Sequence, residues 1–145
     1  LKERVTKILV KKSKRELELL NAQGDVIKSY KVSLGFEPKG DKLCQGDGRT
    51  PEGDYKITKH NPYSHYHLSM EISYPSASDR KEARSRGCST GGNIFIHGMP
   101  NDQSPTDTWH SLRNDWTLGC VALLNPDIKE IYYKVPDGTP ITIQP

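Results

Sequence analysis

The chain has 145 residues, enough for one domain with a sizeable core, and a formal charge of +3 that is too mild to argue for nucleic acid. Only 33% of its residues are apolar, and 12 glycines with 10 prolines favour a loop-rich, β-containing fold over a helical bundle. No apolar run approaches the length of a membrane span. Leu1 in place of an initiator methionine leads us to expect a mature or trimmed form, any secretory signal lying outside this sequence.

The first third reads as sheet. Val5 to Lys12 carries Ile8-Leu9-Val10, and Arg15 to Leu20 sets Leu17 and Leu19 on one face. Asn21 to Asp25 is a turn, and Val26 to Leu34 alternates through Val26, Tyr30, Val32 and Leu34, so a meander is expected. Gly35 to Gly53 is a long polar loop, of a length that is often functional. Within it, Arg49 offers a planar fork for a substrate carboxylate; anchoring the loop, or plain solvation, is the alternative.

Gly53 to His60 and His67 to Ser73 follow as strands, the second alternating through Leu68, Met70 and Ile72. Ser78 to Arg86 is a helix candidate, with Asp79 and Glu82 at N-cap and N3 spacing and Gly87 to stop it. Asn93 to His97 reads as a central strand. Asn125-Pro126 starts a second helix through a capping side chain and a proline at the first helical position. Ile128, Ile131 and Tyr132 share one face of that helix, and Val135 to Gly138 ends it. Thr139 to Ile143 is the last strand. The chain is therefore read as one mainly β domain over residues 1–145, with two short helices.

Chemistry concentrates between Gly91 and Leu124. Ile94 to Ile96 runs into His97-Gly98, and Thr117-Leu118-Gly119-Cys120 runs into four apolar residues. A cysteine and a histidine, each at the edge of an apolar segment and beside a glycine, are the parts of a thiol nucleophile and its base. A small buried cysteine and a satisfied strand-end histidine are the alternative reading. Cys44 and Cys88 sit in Gly-rich polar loops; paired in an oxidising compartment, they would leave Cys120 as the free thiol, and two ordinary surface thiols are the other possibility. His65-Tyr66-His67 puts two histidines on one face of a strand, a spacing used by zinc peptidases, but His65 lies in a polar turn and surface histidines are the default.

His97-Gly98, a loop, then Thr117-Leu118-Gly119-Cys120 resembles the catalytic motif of YkuD-type L,D-transpeptidases. Asp47 to Gly53, Ile72 to Pro75, Gly91 to Gly98 and Gly138 to Ile143 resemble that domain in the same order, and Asp115-Trp116-Thr117 leans towards its YafK-like branch. The resemblance implies a curved β-sandwich and a cysteine enzyme acting on peptidoglycan stem peptides, with no metal or other cofactor. It implies a periplasmic or cell-envelope location, and in the YafK-like branch a wall-linked lipoprotein as a further substrate. Cys120 would be the nucleophile, His97 its base and Gly98 the residue whose carbonyl orients the imidazole. The amides of Gly119 and Cys120 would hold the oxyanion, and Thr117, Tyr74, Trp116 and Arg49 would contact substrate. The sequence departs from the commonest pattern at Leu118, Val121 and Ala122, where a histidine before Gly-Cys and an arginine or asparagine after it are usual. That departure favours water over an amine as acceptor. A hydrolase of stem or lipoprotein linkages, and an inert wall-binding module, stand as the alternative functions.

Overall fold

The structure, a computed structural model, describes residues 2–145. Eight strands form one sheet in the order β3-β2-β1-β8-β4-β5-β6-β7. They are β1 (Lys7–Lys11), β2 (Glu16–Leu20), β3 (Val26–Lys31), β4 (Gly53–Ser64), β5 (His67–Ile72), β6 (Phe95–His97), β7 (Val121–Ala122) and β8 (Pro140–Gln144). The meander β1-β2-β3 is antiparallel, as the alternation predicts, whereas β1–β8 and β6–β7 are parallel pairs.

One long strand carries the curvature. β4 pairs with β8 through Gly53–Lys56 and with β5 from Ile57 onward, and irregular register at Ile57/Lys59 and Asn61/Ser64 bends it between the two. Just past β3, bridges from Ser33 to Ala122 and from Gly35 to Thr117 bring the two ends of the strand order together. The sheet thus curls over one core, where Ile8, Val10, Leu17, Leu19, Ile141 and Ile143 interdigitate with Ile57, Met70, Ile96 and Leu123. Leu17 with Leu19, and Ile141 with Ile143, are pairs that period-2 alternation sets on a common face. Val26 is the exception: it is 50% exposed, because only from Tyr30 onward does that strand cross the core.

Three α-helices are present among the described residues, one more than expected. Helix α1 (Ala77–Ser85) starts earlier than predicted. Ser76 is its N-cap and Asp79 its N3 residue, in a reciprocal capping box that displaces the expected Asp79 cap. Asp79 also accepts from Tyr55 Oη at 2.8 Å, which ties the helix to β4. Helix α2 (Pro105–Leu112) lies inside the stretch read as a loop. Ser104 caps it through the Asp107 amide, and it buries no residue, so hydrophobic periodicity gave no sign of it. Helix α3 (Asn125–Lys134) buries Ile128 and Ile131 as expected, but its N-cap is Leu124, without a side-chain bond. The Asn125 side chain is drawn to another donor, the Met99 amide, at 2.9 Å.

Candidate active site

β6 and β7 run side by side, pairing Ile96 with Val121 and His97 with Ala122. This register sets the imidazole at the end of one strand and Cys120 just before the next. Both side chains line one cavity of about 820 Å³. The buried His97 ring presents Nδ1 to the Gly98 carbonyl at 2.7 Å. A carbonyl only accepts, so Nδ1 carries the proton and Nε2 keeps its lone pair. Gly98 must be glycine: a Cβ there would meet Asn125 Oδ1 at 2.6 Å and the Tyr66 carbonyl at 2.8 Å. Its own amide donates to that Tyr66 carbonyl.

The thiol makes two backbone contacts. The Phe95 amide donates to Cys120 Sγ at 3.3 Å, and the thiol donates to the Asn93 carbonyl at 3.5 Å rather than to His97. Burial raises the thiol pKa to about 11, against the lowering effect of the Phe95 amide and the Lys42 charge. Burial also lowers the imidazole below its ordinary value, against the Gly98 carbonyl. Both shifts favour a neutral thiol and a neutral imidazole over a preformed ion pair. That arrangement suits proton abstraction at the moment of attack.

Thr117 shapes the turn between them. Its hydroxyl accepts from the Gly119 amide at 3.1 Å and donates to the Cys120 carbonyl at 2.7 Å. The Gly119 amide, expected as an oxyanion donor, is thus occupied, whereas the Cys120 amide has no partner among the described residues. Gly119 sits at φ 145, where a side chain is strained, and a Cβ there would lie 2.9 Å from the Arg49 carbonyl. Upstream, Asp115 receives a two-pronged contact from Arg15 and a bond from the Leu34 amide, pinning this loop to the meander.

Three comparisons bear on this geometry. The L,D-transpeptidase catalytic domain family YkuD matches residues 6–143. The chain belongs to the YkuD family. It is 28% identical over 130 residues to YafK of Escherichia coli (strain K12), covering 86% of this chain and 45% of that protein, which sets it with the YafK-like branch. The helical cell shape determining protein Pgp2 of Campylobacter jejuni superposes with a TM-score of 0.74 at 26% identity, over 99% of this chain and 48% of that one. Bd1075 of Bdellovibrio bacteriovorus gives 0.66 at 28%, over 98% and 48%. The chain thus spans about half the length of these relatives. An L,D-transpeptidase of Mycobacterium smegmatis shares the fold at 13% identity and a TM-score of 0.61.

The remaining expected contacts of this YkuD domain divide. Trp116 and Thr117 line the cavity; Trp116 is tilted against His97 at 5.8 Å between ring centroids, with its Nε1 buried and unpartnered among the described residues. Tyr74 does not line it. Its ring packs edge-on to Tyr55 and its hydroxyl donates to the Thr90 carbonyl, so it is a core residue. Arg49 does not line it either, its guanidinium lying near Gly40 instead, while its amide donates to Asp47 Oδ1. Ala122, considered for its missing polar group, is fully buried, while Leu118 is 79% exposed at the rim.

Sequence reading missed two cavity residues. Tyr66 stacks on His97 at 4.5 Å and 27°, and it also meets Trp116 at 5.9 Å, so the three rings form one mutual cluster. Tyr66 sits in a tight hairpin, where alternation says nothing of direction. Lys42 was one lysine among many in a polar loop, yet its side chain is 4% exposed and lies against the cavity. Cys44 and Cys88 form a disulfide, with Cα atoms 5.8 Å apart, and Cys120 is the free thiol. Among the described residues, no group of three or more His, Cys, Asp or Glu is placed to hold a metal ion.

Proposed function

We propose that this YkuD domain is a cysteine acyl-transferase acting on peptidoglycan stem peptides. The observation that carries this reading is the shared cavity. A thiol, and an imidazole whose Nδ1 is committed to the Gly98 carbonyl, open onto the same space. In the proposed reaction Nε2 of His97 takes the Cys120 proton as Sγ attacks the carbonyl of the residue with the L centre. The oxyanion is held by the Cys120 amide; Gly119 joins only if its amide leaves Thr117. As the carbon–nitrogen bond breaks, the imidazolium returns its proton to the departing amine and a thioester remains. An amine or water then attacks, His97 takes its proton, and Cys120 leaves as the thiol. No cofactor takes part in this scheme.

A second reading, hydrolysis of the thioester, is supported by the exposed Leu118 at the rim. An apolar side chain there gives an acceptor amine no hydrogen bond, and an unheld amine loses the benefit of positioning. Release of a wall-linked lipoprotein belongs to this second reading. A periplasmic or cell-envelope location fits both readings and agrees with the Cys44–Cys88 disulfide.

Mass spectrometry of muropeptides after incubation with the enzyme tests both. Exchange or cross-linked products support transfer, and trimmed peptides support hydrolysis. No product, together with a thiol inert to acylating β-lactams, would mark an inert binding module.

A further inference from the structure

Two lysines are buried beside the loop that follows β3, and they differ in how they are satisfied. Lys12 Nζ donates to the Gly40 carbonyl at 2.8 Å and the Thr50 carbonyl at 2.7 Å, and Glu52 lies 3.1 Å away. An ammonium has three donors; Lys12 places two of them on carbonyls and keeps Glu52 as an ion-pair partner, so it acts as a staple. Lys42 is equally buried but has one partner among the described residues, Asp47 Oδ1 at 2.8 Å. Asp47 itself is full. It accepts from Lys42 and from the amides of Leu43, Cys44 and Arg49, and its pKa falls to about 2 because those bonds together outweigh its burial. Two donors of a desolvated ammonium are therefore left without a protein acceptor, and such donors are costly to leave empty.

The surroundings say what would fill them. Among the described residues, Lys42 is the one Lys, Arg, Asp or Glu lining the cavity. The other titratable groups facing it are Tyr63, His65 and Tyr66 of the β4–β5 hairpin, His97 of β6 and Cys120. Lys42 and Cys120 line the same cavity, and the Lys42 charge acts to lower the thiol pKa. A single cation in a mostly apolar cavity fits a monoanion; a dianion would keep an uncompensated charge out of water.

We propose that Lys42, held by Asp47, is a carboxylate-binding site beside Cys120 that receives a carboxylate of the acyl-donor peptide. That the carboxylate belongs to a peptide rests on the proposed function; the site itself rests on the two unfilled donors and the lone charge. It takes the role that the sequence suggested for Arg49.

Alkylation of Cys120 tests this without any turnover. Iodoacetate and iodoacetamide are nearly the same size and need the same thiolate, so the ratio of their rates cancels changes in thiol ionisation. With two charge-assisted hydrogen bonds at stake, the ratio should fall about tenfold or more in Lys42→Gln and be largely kept in Lys42→Arg. Iodoacetate should also show saturation with wild-type protein and none with Lys42→Gln. An unchanged ratio, or loss of rate with both reagents alike, overturns the site. A companion measurement uses wild-type protein alone, so it holds if Lys42→Gln does not fold. N-acetyl-D-alanine should protect Cys120 from iodoacetamide better than its C-terminal amide does, and equal protection overturns the proposal. Inactivity towards stem peptides would remove the proposed function and leave this result standing.

Discussion

Two connections that reach the cavity, one through five residues and one through Trp116, invite comparison as its walls. Both are polar connections without strands, and from composition they look alike. The first, from Phe36 to Glu52, is fixed by buried partners: Lys42 and Thr50 are buried, Lys12 reaches in from outside to the Gly40 and Thr50 carbonyls, Asp47 gathers four donors, and Cys44 is bonded to Cys88. The second, from Asn101 to Trp116, has no buried residue at all. It is held by the Ser104 cap, by Asn101 and by the Arg15–Asp115 contact. Buried ionic and covalent partners, not length or polarity, decide which loop becomes a rigid wall.

The comparison can be broken from its sharpest point outward. Cys120, between the walls, should matter only for chemistry. Cys120→Ala is expected to abolish muropeptide turnover with the circular dichroism spectrum unchanged, and a folded variant that still turns over would end the nucleophile assignment. His97→Ala should lose roughly 10²–10⁴ in rate, the usual worth of a general base. Because burial holds the imidazole below its usual 6.5, the base stays available as pH falls below that value. Iodoacetamide trapping should climb with pH towards the thiol's pKa of about 11. A plateau near pH 7 would mean a preformed ion pair.

The fixed wall should then show itself in stability. Replacing both Cys44 and Cys88 by serine is expected to cost about 2–4 kcal/mol, read by denaturant unfolding. Acid should act on the same wall. Asp47 has a folded pKa of about 2 against an ordinary 3.8, so its contribution is present above pH 3.8 and lost as pH falls towards 2. Asp47→Ala should flatten that part of the pH–stability curve. The second wall should hardly respond: Trp109 is 55% exposed on α2, and Trp109→Ala should change stability by no more than about 0.5 kcal/mol. A large loss there would show that the two walls are not different in kind.

Much of this protein was legible in the chain. Alternation grouped Leu17 with Leu19, and Leu68 with Met70 and Ile72, and all five are buried, because a strand's side-chain period is fixed by its backbone. The ordered motifs brought His97, Gly98 and Cys120 to the fore, and the odd cysteine count suggested the Cys44–Cys88 pair. Tertiary structure alone decided the rest. Tyr74 went to the core and Arg49 away from the cavity, while Tyr66 and Lys42 came into it. Asn125 left its helix cap for the Met99 amide, and the Thr117 hydroxyl occupied Gly119. In each case a polar or aromatic side chain on a turn or loop found a partner distant in sequence. Local periodicity constrains which face of a strand is buried, but it does not constrain which donor meets which acceptor once the sheet has curled round its core.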